Sequence, residues 1–598
     1  MKKLLLLSAL LIFACSSDDS NYDNNDILNN QNLVDTWYTS FTSSGNGLTY
    51  QTLRLEDQST GSLRRVKWVD GEYTTVYYSD LVWSSSSTAL TLTTSVDNNN
   101  ETFNYVLSTN YEVSNDINTL TITGSDSSIL VYTNVPPAGE LEDIPYYNTI
   151  GDLQGGLLAS YNFLDTTYEI GFTSAMTDEC YKGRDNGGQN SAEQNFNINS
   201  SNGYASGIWR SYYGAIGMAN RVIEAGNLVD RSEDPVAYDN IIGQAHAIRA
   251  FSHFQILTWF STDYTDNEAL AGLLLTSVTE DIFAQIPRST NEEFYDQITQ
   301  DLNTAEALIT SDAGNKFLGV DAINAIRARM HAYKGDYAAA KQYAELLLSS
   351  YSVSDQTQFV QMFEDNDFTE IIFSLERSIG DSYDGQGTAG GGWAGSLYAF
   401  IDASEQGGPF MEMSRSVYNI MKGTSDVRLP RCLNEAESFS DDDYVTNDNF
   451  LNDDVLLIYK YPGGTQPLLN DLKVFRAAEM HLIVAEAEAD AGNFAQVGVL
   501  INQLRSLRGA DALSAPIDEQ DAFGMILDER RLEFLFEGHR WVDLKRMGDR
   551  GGRALDRDAR ECEFLAGCTL ANSDYRFTLP IPVSELTANQ AAEQNPDY

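Results

Sequence analysis

Asp and Glu outnumber Lys and Arg by 87 to 38 along 598 residues, leaving a net charge of −49 at pH 7. That balance excludes nucleic acid as a partner and adsorption to anionic lipid through a basic patch, and it disfavours a polyanionic ligand such as a sulfated or uronate glycan. The length allows more than one domain and a large core, and the acidity reads first as a solvated surface.

Residues 1–14, MKKLLLLSALLIFA, have a Lys-Lys start and one apolar run too short to span a bilayer. The run ends at Ala14-Cys15 and is followed by Ser16-Ser17-Asp18-Asp19. This is similar to a bacterial lipoprotein signal, in which Cys15 would be diacylated and become the new N-terminus. The acidic run after it looks like the signal that sends Bacteroidetes lipoproteins to the cell surface, and multiple acyl chains give lasting anchorage. Residues 15–30 are polar and Asn-rich and read as a flexible tether. No other segment reads as a membrane span.

Between 31 and 135 short Thr/Tyr/Val/Leu/Trp runs alternate with Ser/Asn/Gly/Asp breaks: Thr49–Leu55, Leu63–Val69, Tyr73–Trp83, Ala89–Ser95, Thr102–Ser108, Thr119–Thr123 and Ile129–Thr133. Seven or eight strands joined by hairpins make a small all-β barrel or sandwich. Leu33-Val34-Asp35-Thr36-Trp37, with Tyr111, Leu120-Thr121-Ile122 and Val131-Tyr132, resembles the lipocalin-like domains of Bacteroidetes lipoproteins. A binding role and a spacer role are both open for it. The Pro-Pro-Ala-Gly stretch opens a linker over 136–144.

From 145 to 598 the period becomes helical. Helices are expected at Ile150–Leu164, Ile208–Leu228 and Ala245–Phe260, with Trp209 and Tyr212 read as core. Two units then repeat one plan. Gly335-Asp336-Tyr337 joins helices Asp321–Tyr333 and Ala338–Ser349, and Gly492-Asn493-Phe494 joins Val474–Ala491 and Ala495–Arg508. Small Ala alternates with large Phe and Leu on the packing faces, which is tetratricopeptide-like pairing. The scaffold is interrupted from about 353 to 470. There Ile371–Ser374 reads as a strand and is followed by the Gly-rich stretch Gly385–Gly395, which holds Trp393 and is flanked by Tyr383, Tyr398, Phe400 and Phe410. Long irregular loops on a rigid scaffold are where function concentrates. The acidic run Asp441–Asp454 lacks EF-hand spacing and reads as a solvated loop rather than a Ca²⁺ site.

Ile526 to Arg546, ILDERRLEFLFEGHRWVDLKR, reads as one helix with Asp518 as N-cap. Helical spacing allows Asp528 to pair with Arg531, Glu537 with Arg540 and Asp543 with Arg546. The stretch is too apolar for a solvated helix and too charged for a plain core helix, so it must bury ionic groups that satisfy each other. It closely resembles the C-terminal signature of the SusD/RagB family, ERR-x-E-F-x-F-E-G-x-R-W-x-D-L-x-R. Met176-Thr177-Asp178-Glu179, Trp209/Tyr212/Ile216/Asn220, the Ala245–Phe260 helix and the closing Leu579-Pro580-Ile581-Pro582 and Gln594-Asn595-Pro596-Asp597-Tyr598 are similar to further family segments.

The resemblance implies a mainly α, SusD-like fold over 145–598: a tetratricopeptide-like helix-pair scaffold with long loops. It also implies a cell-surface lipoprotein that captures glycan and acts as the lid of a SusC-like TonB-dependent transporter in the outer membrane. A RagB-like role in oligopeptide import is the alternative. Trp393, with Tyr398 and Tyr383, is the first choice for sugar stacking. The family's use of the loop after the Asp-Glu segment adds Tyr181, Arg184 and Asn190. No HExxH, GxSxG or P-loop is present, all five His fall on helical stretches, and binding is favoured over catalysis, with no cofactor or metal. Of the five cysteines, Cys562 and Cys568 are close enough to close a small loop by a disulfide.

Overall fold

The computed structural model describes the strands between 35 and 133 as backbone, and residues 147–598 apart from 279–283, 312, 378–408, 441–443, 463–469 and 566. The chain divides into two compact units, Met1–Glu142 and Asp143–Tyr598. In the first, eight antiparallel strands run from Asp35–Thr42 to Ile129–Thr133, each paired with its sequence neighbour. Pairing of Tyr38 with Thr133 closes them into a barrel and removes both sheet edges. The strands Thr119–Thr123 and Ile129–Thr133 match their expected bounds, and Asp35–Thr42 adds an eighth strand ahead of the seven runs.

The second unit is helical. Gly203–Gly226 and Pro235–Phe260 lie side by side, and Asn291–Leu308 packs on the latter. Trp209 and Tyr212 are buried, as their helical spacing implied. Both repeated turns form. Val320–Lys334 ends at Gly335, whose φ of +80° suits glycine, and Tyr337–Leu348 follows with the Asp336 side chain capping Ala339 N–H. Ala477–Asp490 reaches Gly492 (φ +76°) and turns into Phe494–Arg508. Here Asn493 does not cap; its amide donates to Glu488 instead. Buried Ala340, Ala344, Ala478, Ala485 and Ala489 let Tyr337–Leu348 and Ala477–Asp490 approach closely. Among the described residues no helix is long and apolar enough to cross a membrane.

Two expected elements differ. The helix expected from Val474 begins at Ala477, because Leu472–Arg476 is a strand paired antiparallel with Ile371–Leu375. All five residues are buried, so no polar/apolar alternation marks the strand in the sequence. The helix expected over 526–546 is two, Glu519–Glu533 and Arg540–Met547. Asp518 caps the first, with its side chain accepting from Asp521 N–H. Between them Phe536 (φ +62°) and Gly538 (φ +86°) turn the chain.

That turn re-routes the charges. Only Asp543–Arg546 pairs as the helical spacing suggested. Asp528 meets Arg553, Arg540 and Arg531 reach Asp178, and Glu537 pairs with Lys460 and Arg476. Glu533 lies at the centre. Its carboxylate accepts from Arg508 at 2.8 and 3.0 Å and from Arg476 at 3.1 Å, with Arg428 at 3.5 Å. Arg476 and Arg508 also hold Glu370, and Arg428 holds Asp426 and Glu529. Phe359, Phe363 and Phe534 cover the cations, with Arg508 centred 4.3 Å from the Phe359 ring. The guanidiniums hold the Glu533 carboxyl well below the usual carboxylate range against its own burial. The cluster joins the Leu472–Arg476 strand, two helices and the chain at 370, 426–428 and 460 into one body.

The remaining signature residues pack as core. Trp541 stacks on Trp259 with ring centroids 5.0 Å apart, and the C-terminal segment is tied to the same place by Leu579 N–H to Trp259 O and by Asn595 to Phe260 O. Cys562 and Cys568 form a disulfide, while Cys180 and Cys432 are buried thiols.

Removing Glu533 leaves several buried guanidiniums uncompensated. Glu533→Ala is expected to cost about 3–5 kcal/mol in denaturant unfolding, whereas Asp528→Ala, whose partner Arg553 is exposed, should cost at most about 1 kcal/mol. Arg540→Ala should likewise lower stability and leave ligand affinity intact; normal stability with lost binding would overturn that role. Stability should also fall on both sides of a mildly acidic optimum. The depressed Glu533 and Asp178 carboxyls contribute fully above the usual carboxylate pKa, and that contribution is lost as pH drops through their folded values. Glu169, pushed up to about 8 by burial against the Tyr212 hydroxyl, contributes fully below its unfolded pKa, and that contribution is lost as pH rises through about 8. The urea midpoint should therefore decline from about pH 5 to about pH 8, and Glu169→Gln should make that arm shallower, the raised Glu179 and Glu412 carboxyls supplying the rest. A flat arm in the native sequence contradicts this account.

Candidate functional site

The loops singled out in the sequence meet at one short sheet. Cys180–Lys182 pairs antiparallel with Met411–Met413, joining the segment after Asp178-Glu179 to the chain that follows the Gly-rich stretch. The pairing extends past the strands. Gly183 N–H donates to Phe410 O at 2.9 Å, Asp185 N–H to Pro409 O at 3.1 Å, and the Asn186 amide to Phe410 O at 2.7 Å. A Cβ on Gly183 would sit 2.3 Å from Pro409 O, so this approach requires glycine.

Buried polar groups fix both segments from below. Asp178 is fully buried and takes a two-pronged bond from Arg540, 2.9 Å at each oxygen, and a third contact from Arg531. Arg557 donates to the carbonyls of Met176, Thr177 and Gln194, which closes the C-terminus of the Thr167–Met176 helix. Glu179 is buried with its carboxyl pushed up to about 8 and accepts the Ser174 hydroxyl. On the other strand Glu412 accepts from Arg184 N–H at 2.9 Å and from Leu456 N–H at 3.1 Å. Burial raises its carboxyl to about 7 against the opposing pull of Arg415. Arg415, Asp454 and Glu561 continue the buried cluster, with Glu561 accepting from Ser414 and Arg415 N–H.

The departing end of the Gly-rich stretch is held as well. Ile371–Leu375 starts beside Glu370 of the Glu533 cluster, Arg377 N–H donates to Asp471 Oδ1 at 3.0 Å, and Lys316 bridges Glu376 and Asp471. Trp393, Tyr398 and Tyr383 lie outside the described residues, within 378–408, as Cys15 does within the first 34. Arg184 is exposed at the rim. Asn190 is half-buried, has φ +55° and accepts the Tyr204 hydroxyl at 2.9 Å. Tyr181 is 1 % exposed, and its hydroxyl has no hydrogen-bond partner among the described residues. Its strand turns that side chain into the core, so the direct ligand contact expected of it does not fit this conformation. The positions that sequence reasoning missed are Asn186 and Glu412, which connect parts of the chain some 225 residues apart, Asn186 through the Phe410 carbonyl. Only the Gly183-Arg184 pair carried any local sign of a close approach.

The rim offers the exposed Arg184 guanidinium and the half-buried Asn190 amide on a base of buried, paired groups. Among the described residues no group of three or more His, Cys, Asp or Glu side chains is arranged to hold a metal ion. In the acidic run Asp453 accepts from the amides of Asn447 and Asn449.

Residues 433–598 match the model of the SusD family, and residues 156–319 match a model described as starch-binding associating with outer membrane. The SusD-like protein P2 of Formosa agariphila is 25 % identical over 510 residues, covering 77 % of this chain and 95 % of the relative. The SusD-like protein P38 of the same organism is 23 % identical over 475 residues, covering 71 % and 90 %. The crystal structure of a SusD superfamily protein from Bacteroides thetaiotaomicron superposes with a TM-score of 0.62 at 21 % identity, covering 75 % of this chain and all of that one. A SusD-like carbohydrate binding protein from Bacteroides vulgatus gives 0.58 at 18 % identity, covering 74 % and 97 %. Through residues 156–319 and 433–598, the helical unit of the chain belongs to the SusD/RagB family.

Proposed function

We propose that the chain is a surface-anchored glycan-binding lipoprotein that captures oligosaccharide or polysaccharide outside the cell and closes as a lid over a SusC-like TonB-dependent transporter. In this reading residues 1–14 are removed, Cys15 carries the acyl chains that hold the protein on the outer membrane, and 15–30 form the tether. The lipocalin-like unit at 31–135 is a spacer that lifts the binding unit off the membrane. The observation that carries the proposal is the meeting of the Cys180–Asn190 segment with the returning end of the aromatic, Gly-rich stretch at Pro409–Met413. The description of one matched family model as starch-binding and outer-membrane-associated supports the ligand class.

The chemistry is coherent. Sugar rings present apolar C–H faces, so Trp393, helped by Tyr398 and Tyr383, can cover them at low entropic cost. Arg184 and Asn190 supply hydrogen bonds to hydroxyls at the edge. Buried Tyr181 acts beneath the rim, through packing. Binding is the whole activity in this reading; no group is assigned a catalytic role.

Affinity electrophoresis against neutral and anionic glycans, with a peptide digest as a separate arm, tests the proposal. Retardation by a neutral glycan is expected. Trp393→Ala should abolish it, a loss of at least about ten-fold in affinity, or about 1.4 kcal/mol, and Arg184→Ala should weaken it less. Unchanged retardation of Trp393→Ala would sink the site assignment. Binding of peptide alone overturns the ligand class, and turnover of the glycan overturns the non-enzymatic role.

A further inference from the structure

A cavity of about 580 Å³ opens at the turn of the first helix pair, built from elements that the Cys180–Asn190 rim does not use. Its walls come from Thr262–Thr265 after the Pro235–Phe260 helix, Tyr333–Tyr337, Lys545–Arg550 and the C-terminal Asn572–Thr578. Its volume falls in the range of about 300–1,000 Å³ common for ligand sites.

The bonding state of the wall restricts what fits. Arg546 spends its donors on Glu486 and Asp543, and the Arg550 charge is met by Glu519 through Nε and by Asp490 through Nη2. Lys545 gives two of its protons to Ser261 O and Thr578 Oγ1, and burial presses its pKa down to about 7. The acceptors are less fully used. Asp263 takes only the N–H and O–H of Thr265, and Asp549 takes only the Asn572 amide. Neither carboxylate has an ion-pair partner among the described residues, and both are exposed. An anion would therefore meet two exposed carboxylates, only one of which, Asp263, lies close enough to Lys545 to act on its charge. A cation would meet the Lys545 amine, which has no ion-pair partner within 4 Å among the described residues and lies in the same wall. A neutral ligand rich in hydroxyl donors avoids both penalties. Tyr575, 37 % exposed, supplies an aromatic surface to the wall; Tyr598 packs edge-to-face with it, 4.8 Å between ring centroids, and the Arg576 guanidinium lies over the ring at 5.3 Å, which leaves the opposite face for a ligand. Vicinal hydroxyls that donate to a carboxylate, and a C–H face that lies on a tyrosine, are together the features of a sugar ring.

We propose that this cavity is a second saccharide-binding site, for a short neutral oligosaccharide, with Asp549 and Asp263 as hydroxyl acceptors and Tyr575 as the stacking surface. It stands independently of the rim, and either site can fail without the other. Saturation-transfer NMR on the full chain, with maltotriose, cellotriose and laminaritriose as probes, tests it in the Trp393→Ala background. Transfer to at least one trisaccharide should persist there and should fall by about ten-fold or more on adding Tyr575→Ala or Asp549→Asn. Both positions are exposed, and an unchanged thermal midpoint confirms that the fold is intact. Absence of transfer in the Trp393→Ala protein, or transfer indifferent to both added substitutions, overturns the second site. Loss of transfer on Trp393→Ala alone does so while supporting the rim.

Discussion

Three guanidiniums converge on the Glu533 carboxylate in the middle of the helical unit, and the rest of the fold is arranged so that this is tolerable. Burying an isolated charge costs several kcal/mol, and mutual attraction repays it only when every partner is in place. Here Arg428, Arg476, Arg508, Arg505 and Lys460 are met by Glu370, Asp426, Glu529, Glu533 and Glu537, a balance of five to five. Phenylalanine faces cover the cations, and the Ser354 carbonyl takes one of the remaining protons. Because the members come from distant parts of the chain, the cluster rewards a single arrangement and penalises any that leaves one charge unpaired.

The same arrangement bears on the net charge. Among the described residues fifteen Lys and Arg side chains are buried, against eighteen Asp and Glu. The buried set is thus nearly balanced, and the excess of acids in the chain lies outside it.

Much of the fold was legible in the sequence because it rests on local chemistry. Gly335 and Gly492 mark left-handed turns that few other residues adopt, Asp336 and Asp518 cap through their own side chains, and the helical spacing of Trp209 and Tyr212 marks a buried face. What was not legible depends on partners far away. The break at Phe534–His539 interrupts a pattern whose apolar and charged spacing continues unchanged through it, and it is the pairing of Glu537 with Lys460 and Arg476 that gains from the turn. Leu472–Arg476 is buried on both faces, so its extended state is set by Ile371–Leu375 rather than by any periodicity. At the site the loops were recognisable from composition, yet their meeting through Gly183 and Pro409 was not. Nor was the inward turn of Tyr181, whose orientation is fixed by the strand it shares with Cys180.

These two kinds of information divide along the line between scaffold and site. Asp178, Glu412 and Arg557 act on backbone: they hold carbonyls, N–H groups and strand ends, and so set where the rim stands. Side chains that project from the rim, such as Arg184, carry none of that burden. A substitution there alters the surface presented to a ligand at little cost to the fold, while a substitution at Asp178 or Glu533 strands a buried charge. Selectivity can therefore change by exchange of exposed loop residues over a base whose charges are locked. The signature helices carry the locked charges, and the exposed loops they support are free of them.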